Sequence, residues 1–392
     1  MTTTTLDFKN ALAFKKAKPV VSTKLGRQIF FVILGLLLFG LVEVFSASRY
    51  QGIELRNNPY YFGSLHLFYV LLTLASIGLF QVLPKSLWKS LTWISFFVLL
   101  ATLVAVFFFP AQNGAHRWIP LGIFTLQPSE LAKIGVVMVG ALLFSKVKWD
   151  QDKSIWEHLI RLSMISVPVI VVMILVLVQP DLGNILVIGA SFVAMYLSIP
   201  QKWRKLSVFL IVPLIVLLIS SAILITPYRR ERVMTYLQFM RTGVIEDEFG
   251  KGLQTRNILI GVGSGGFWGK GIGGSQLKHG YFVEVTAFTD SIAALIFEEL
   301  GFFLGSLFVG VYVYLFYLLV RVAEAQQNPY NRLIMWGIAM WFITQTFIHF
   351  AANVVLIPVK GTTLPFVSYG GSSMLAFGLA SGIAIKLARD PS

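Results

Sequence analysis

Long apolar stretches separated by short polar segments run through almost the whole chain. Most of these stretches have the roughly 20 residues that an α-helix needs to cross a bilayer, and over such a length in lipid only a helix satisfies its own backbone groups. The pattern therefore predicts an all-α polytopic membrane protein, with an N-terminal tail at 1–26 and a single membrane domain at 27–392. The ten predicted spans lie near 27–46, 64–83, 89–109, 129–146, 161–179, 182–199, 206–226, 291–320, 333–355 and 371–388.

Composition agrees with the pattern and excludes several chemistries. Hydrophobic residues make up 56% of the chain, charged residues 13%, and the mean hydropathy is +0.76, whereas a soluble domain carries about 25% charged residues. The chain has no cysteine, which excludes disulfides, thiolate metal sites and cysteine nucleophiles. The net charge of +14 falls mostly between spans, so it indicates membrane orientation and not nucleic-acid binding.

The distribution of lysine and arginine predicts the orientation. With the N-terminus in the cytoplasm, 19 of the 32 lie in the two termini and the short cytoplasmic loops, and eight lie in one long loop, 227–290. Long loops cross the membrane largely regardless of charge, so we expect this loop, together with 110–128 and 356–370, on the outer face. The first apolar run exceeds the usual 7–15 residues of a signal peptide, so we expect it to be a retained membrane anchor.

Two polar groups stand where predicted helices begin. Ser129 follows a proline and is expected to cap the fourth span, with Glu130 in its first turn. Glu130 and Lys133 are three residues apart on one face and can form an ion pair, which is either a structural device or a functional site within the membrane. Asp181 lies in the tight turn between the fifth and sixth spans, where it serves as a helix cap, a structural partner or a functional acid.

A glycine-rich stretch, 261–274, lies within the long loop. It matches the G-x-G-x-x-G spacing, but no βαβ unit surrounds it, so a nucleotide-binding fold is rejected. Two interpretations stay open. The stretch is either a plain linker or a loop that exposes its backbone amides, beside Lys270 and Lys278, to a diphosphate or a sugar.

Acidic residues cluster where the long loop meets the eighth span. Asp290 is expected at the membrane surface, as a cap or as a functional acid. Glu298 lies eight residues further, about 12 Å along the same face if both belong to one helix. Glu298 and Glu299 lie inside the span and need partners, and Lys133 is a candidate partner for one of them.

Five motifs occur along the chain in a fixed order. They are Gly-Ala-His-Arg-Trp at 114–118, Gln-Pro-Ser-Glu-Leu-Ala-Lys at 127–133, Gln-Pro-Asp-Leu-Gly at 179–183, Thr-Asp at 289–290 with Glu-Glu-Leu-Gly at 298–301, and Ser-Tyr-Gly-Gly-Ser-Ser at 368–373. Together they resemble the SEDS family, which includes FtsW, RodA and SpoVE. The resemblance covers nearly the whole chain and is closer to FtsW. The family usually has Pro-Glu-Ala-His-Thr-Asp before the eighth span, whereas the run here is two residues longer and Phe288 takes the place of the histidine, which weakens the alignment of Glu284.

The resemblance implies a peptidoglycan glycosyltransferase that polymerises lipid II, with release of undecaprenyl diphosphate, in cell division. It implies a location in the bacterial cytoplasmic membrane, a class B penicillin-binding protein and other divisome proteins as partners, and Asp290 as the essential outer-loop acid, which we expect to act as the general base. A divalent cation, Mg²⁺ or Mn²⁺, is a candidate cofactor beside the basic side chains. The alternatives are a lipid II flippase and a division scaffold without catalysis. The residues expected to bind substrate are Arg117, Gln127, Glu130, Lys133, Asp181, Lys270, Lys278, Lys360, Ser368, Gly370, Gly371 and Ser372.

Overall fold

The fold is a bundle of long apolar helices. The computed structural model describes residues 23–111, 115–122, 124–147, 149, 154–201, 203, 206–207, 227–245, 252–278 and 287–390. The helices in these ranges are α1 (Thr23–Ala47), α2 (Arg49–Arg56), α3 (Tyr61–Val82), α4 (Trp88–Ala105), α5 (Pro128–Lys146), α6 (Ile155–Val178), α7 (Leu182–Leu197), α8 (Pro227–Thr242), α9 (Leu253–Ser264), α10 (Ile292–Ala325), α11 (Pro329–Asn353) and α12 (Gly371–Arg389). Short 3₁₀ turns lie at Lys85–Leu87, Val106–Phe108 and Gln276–Lys278, and strands β1 (Ile119–Pro120) and β2 (Thr125–Leu126) form an antiparallel hairpin.

Nine of the ten predicted spans correspond to helices. Within the described residues, eight helices are long and apolar enough to cross a membrane, and α7 is a shorter apolar helix. The remaining prediction, 206–226, lies outside the described residues except for its first two positions. The predicted tight hairpin between the fifth and sixth spans is confirmed, because α6 ends at Val178 and α7 begins at Leu182.

The centre of the bundle is formed by α5, α11 and α12, which are far more buried than the other five helices of membrane-spanning length. Helix α12 packs against α3, α1 and α5, while α11 packs against α10, α7 and α5. Glycine allows a close approach of α12 to α3, since a Cβ on Gly378 of α12 would lie 2.9 Å from the carbonyl oxygen of Thr73 in α3. Small residues at helix contacts are the usual way to pack helices in lipid.

Helix α10 is broken near its first third. Gly301 has φ +70°, and a Cβ there would lie 2.2 Å from the backbone nitrogen of Gly269. The freed amides of Phe302 and Phe303 donate to the carbonyls of Gly266 and Phe267 at 2.9 and 3.1 Å. A segment of the long loop, residues 265–278, therefore packs into the break in α10 and replaces the missing helical hydrogen bonds.

Candidate functional site

The two acids beside the break are paired with lysines of the 265–278 segment. Lys270 Nζ lies 2.7 Å from Glu298 Oε1. Lys278 pairs with Glu299 and donates to Ser46 Oγ of α1 at 2.6 Å. The expectation that Lys133 would pair with one of these acids is therefore wrong, because the long loop brings its own cations to them.

Backbone amides of the same segment also point at these carboxylates. Glu298 accepts from the amides of Gln276 and Leu277, and Glu299 accepts from those of Gly273 and Ser275, at 2.9–3.3 Å. The described part of the glycine-rich stretch is thus neither a linker nor an open amide cradle. Its first part belongs to helix α9, and amides in its second part bind acids of the same chain.

A second buried ion pair lies in α5. Lys133 Nζ is fully buried and lies 2.7 Å from Glu130 Oε2, which confirms the predicted i, i+3 pair. Lys133 also donates to Gln345 Oε1 of α11 at 2.7 Å. The pair therefore links α5 to α11 in the centre of the bundle.

Asp181 is the centre of a buried polar cluster. Its Oδ2 atom accepts from Gln127 Nε2, Ser129 Oγ and Asn184 Nδ2 at 2.8–2.9 Å. Its Oδ1 atom accepts from the amide of Asn184 at 3.3 Å, so the predicted helix cap is confirmed. Arg117 also stabilises this turn, because it donates hydrogen bonds to the carbonyls of the two residues before Asp181 at 2.9 and 2.6 Å.

Ser129 does not cap α5 as the sequence indicated. The cap position is taken by Gln127, and Pro128 is the first helical residue. Proline suits that position because its missing N–H would have no partner there. The Ser129 hydroxyl is instead directed at Asp181.

The backbone before Asp290 is held at three successive carbonyls. The carbonyl of Phe288 accepts from the amide of Tyr369 at 3.0 Å, and that of Thr289 from Ser368 Oγ at 2.7 Å. The carbonyl of Asp290 accepts from Asn353 Nδ2 at 2.8 Å. Helix α10 begins only at Ile292, so the expectation that Asp290 and Glu298 share one helical face is wrong.

A stretch without regular secondary structure, residues 360–363, joins the surroundings of the two aspartates. A Cβ on Gly361 would lie 3.0 Å from Asp290 Oδ2, and one on Gly183, two residues after Asp181, would lie 2.8 Å from Thr362 Cγ2. We call residues 360–363 the crossing segment. It lies against Asp290 on one side and against the start of α7 on the other.

The Ser-Tyr-Gly-Gly-Ser-Ser motif packs around this segment. Ser368 Oγ accepts from the amide of Leu364 at 2.7 Å, and Thr363 Oγ1 donates to Ser373 Oγ at 2.7 Å. Ser372 Oγ accepts from the amide of Gln127 at 2.7 Å. A Cβ on Gly370 would lie 3.0 Å from Thr363 Cγ2, and one on Gly371 would meet the Tyr69 ring at 2.7 Å. The motif is therefore a packing element of the site.

Burial shifts the pKa of two loop residues. It lowers the pKa of Lys360, because the charged ammonium loses hydration. It raises the pKa of the Tyr369 hydroxyl, with Tyr69 and the charge of a second tyrosine adding to the effect. Phe288, fully buried, has its ring centroid 5.3 Å from that of Tyr369, so this position contributes packing instead of a titratable ring.

The predicted residues thus fall into two groups. Lys270 and Lys278 lie with the acids at the break in α10, while the others surround the crossing segment and the central ion pair. Glu284 lies outside the described residues. Sequence reasoning missed three polar residues of α11, Gln345, His349 and Asn353, although their spacing of four in an apolar span was a usable signal.

The described residues do not provide an evident protein site for a divalent cation. No group of three or more histidine, aspartate or glutamate side chains that could hold a metal ion occurs in the described part of the chain. Lys360 places one positively charged residue within the crossing segment itself.

Comparison with known proteins identifies the family to which this chain belongs. The family model for FtsW, RodA and SpoVE, described as a cell cycle protein, matches residues 27–392. The chain is 33% identical to a probable peptidoglycan glycosyltransferase FtsW of Moranella endobia, over 92% of this chain and 93% of that one. It is also 33% identical to the corresponding protein of Idiomarina loihiensis, over 92% and 86%.

Solved structures share the fold. A chain from a peptidoglycan synthase complex that coordinates polymerization and crosslinking aligns with a TM-score of 0.73 at 24% identity, covering 93% of this chain and 97% of that chain. The crystal structure of the rod shape determining protein RodA of Thermus thermophilus aligns with a TM-score of 0.63 at 24% identity, covering 93% and 96%. The protein is therefore a multi-pass inner-membrane protein that belongs to the FtsW/RodA/SpoVE family.

Proposed function

We propose that this chain is a peptidoglycan glycosyltransferase that polymerises lipid II during cell division, with Asp290 as general base. The family relationship to proteins named peptidoglycan glycosyltransferase FtsW supports the reaction class. The observation that carries the site is the fixed position of Asp290, whose backbone is held by α11 and whose carboxylate lies against the crossing segment.

In the proposed reaction the 4-hydroxyl of an N-acetylglucosamine on one lipid II attacks the anomeric carbon of the growing chain. The new C–O bond forms as the bond to undecaprenyl diphosphate breaks, so the anomeric configuration inverts. A sugar hydroxyl is a weak nucleophile, and Asp290 takes its proton. A positioned general base typically contributes about 10²- to 10⁴-fold to the rate.

The departing diphosphate needs positive charge as the bond breaks. Lys360 is the best candidate, because it directly precedes Gly361, which lies against Asp290. Lys270 and Lys278 are less suited, since each already pairs with a buried acid. Arg117 is assigned to holding the turn before Asp181, because its Nε and Nη2 donors bind the carbonyls of Gln179 and Pro180.

We also propose the orientation and the partner. The positive-inside rule puts both termini in the cytoplasm, so the crossing segment and Asp290 face outward, where lipid II is polymerised. The likeness to a chain of a peptidoglycan synthase complex supports a class B penicillin-binding protein as partner.

The test is polymerisation of lipid II by the purified protein in liposomes, with and without its cognate class B partner. Wild type is expected to form glycan chains, and Asp290→Asn is expected to lose at least about 100-fold in rate while remaining folded. Glu54→Gln, which changes an exposed carboxylate in α2, is the matched control and keeps full activity. An equally active Asp290→Asn refutes the general base. If wild type with its partner forms no chains, the enzyme proposal fails, and movement of labelled lipid II across vesicles then separates a flippase from a scaffold.

A further inference from the structure

Three polar side chains form a line along one face of α11. Gln345, His349 and Asn353 recur every four residues, so they lie on the same face and extend over about 12 Å of helix. All three are at most 1% exposed. Buried polar groups in a membrane span are costly unless their hydrogen bonds are used, so their partners are informative.

Each of these side chains binds the polypeptide that surrounds the proposed base. Gln345 Nε2 donates to the carbonyl and the hydroxyl of Thr363, both at 3.1 Å. His349 Nδ1 lies 2.6 Å from the carbonyl of Thr362. Asn353 Nδ2 donates to the carbonyl of Asp290 at 2.8 Å, and Asn353 Oδ1 accepts from the amide of Ala294.

The histidine bond also defines its protonation. A carbonyl oxygen can only accept, so Nδ1 of His349 carries the hydrogen. The Nε2 atom is buried and has no hydrogen-bond partner among the described residues, which fits a neutral ring whose second nitrogen bears no proton. His349 therefore acts here as a fixed donor to the crossing segment.

The same helix face thus holds two opposite parts of one site. Asn353 binds the residue that carries the proposed base, while His349 and Gln345 bind the crossing segment, which lies against its carboxylate. At its inner end the line joins the buried ion pair, because Gln345 Oε1 accepts from Lys133.

We propose that Gln345, His349 and Asn353 are positioning residues that set the distance between Asp290 and the crossing segment with Lys360. This inference rests on the proposed glycosyltransferase function and adds to it a mechanical role for α11. None of the three is assigned contact with the substrate. They act through backbone carbonyls, so their loss displaces the reacting groups without removing any of them.

The experiment measures steady-state lipid II polymerisation by the full chain with its class B partner in liposomes. Asn353→Leu removes the donor to Asp290 in a side chain of similar size. Asn353→Ser adds no bulk and is too short to reach that carbonyl, so it carries the test if the leucine variant does not fold. Both are expected to lower kcat and kcat/KM by about 100-fold with KM unchanged, since a displacement of about 1 Å has that effect.

His349 offers a conservative pair. In asparagine the amide nitrogen is bonded to Cγ, as Nδ1 is in histidine, so His349→Asn keeps a donor to Thr362. Its kcat is expected to stay within about threefold of wild type, a smaller change than the loss of a hydrogen bond typically causes. His349→Leu lacks the donor and is expected to lose kcat as Asn353→Leu does. Thr346→Val is the control, because its buried hydroxyl has no partner among the described residues, and we expect wild-type turnover.

The outcomes separate this inference from the proposed function. An active wild type with unaffected Asn353 variants refutes the inference alone. Equal turnover of His349→Asn and His349→Leu, or an equal loss in Thr346→Val, also refutes it, because the effect would then not depend on these donors. A wild type that forms no glycan refutes the proposed function and the inference with it.

Discussion

The buried ion pair of α5 allows a quantitative prediction. In Lys133→Met the side chain keeps a similar length, but the cation 2.7 Å from Glu130 Oε2 disappears. Glu130 is only 6% exposed, so its carboxylate would remain buried without the cation. Breaking a buried pair in this way typically costs about 3–5 kcal/mol of unfolding free energy.

Most of the loss comes from Glu130. The other hydrogen-bond partner of Lys133 is Gln345 Oε1, which also accepts from Trp341 Nε1 at 3.0 Å and so stays bonded. We therefore expect about 4 kcal/mol for Lys133→Met. The double variant Glu130→Leu/Lys133→Met removes both charges, and a buried pair replaced by apolar residues is typically neutral or stabilising. It should recover at least about 3 kcal/mol relative to the single variant.

The assay is reversible unfolding by sodium dodecyl sulfate in mixed micelles, followed by tryptophan fluorescence. Wild type, the two single variants and the double variant form a complete cycle. A double variant as unstable as the worse single variant would refute the reasoning, because the cost would then arise from lost packing and not from an unpaired charge.

Three further predictions concern the long loop and the crossing segment. Gly301→Ala adds a Cβ at φ +70° and 2.2 Å from the backbone of Gly269, so it should lower thermal stability strongly, whereas Gly310→Ala, with open space around the new Cβ, should be neutral or stabilising by about 0.5–1 kcal/mol. Gly361→Ala places a Cβ 3.0 Å from the carboxylate of the proposed base. It should lower kcat by at least about tenfold with little change in thermal stability. An unchanged kcat would contradict the close contact. Burial lowers the pKa of Lys360. At pH values between this lowered pKa and the pKa of free lysine, the unfolded chain therefore binds more protons than the folded chain. Stability then rises with pH across that window while a reaction that needs the cation slows, and Lys360→Arg, which stays charged, should remove the alkaline decline in rate.

Local patterns were sufficient for much of the fold. Apolar runs of membrane-spanning length predicted nine helices that the structure contains. The spacing of three between Glu130 and Lys133 predicted their ion pair, and Asp181 after Pro180 predicted a helix cap. These features depend on backbone hydrogen bonds and on neighbours within one helical turn, so the chain determines them locally.

The partners of the acids were decided by the tertiary structure. Sequence reasoning offered Lys133 as a candidate partner for Glu298 or Glu299, but the actual partners lie on the segment that enters the break at Gly301. No sequence periodicity predicts this insertion, because the insertion depends on close contact between the backbones of two glycines that are distant in the chain.

The environment of Asp290 has the same origin. The sequence by itself determined that an acid stands before the eighth span and that its motif resembles that of a family. The contacts that fix it come from Asn353 and Ser368, more than 60 residues away in the chain. Hydropathy records only which segments prefer lipid, whereas the packing of α11 and α12 decides which polar groups meet between them.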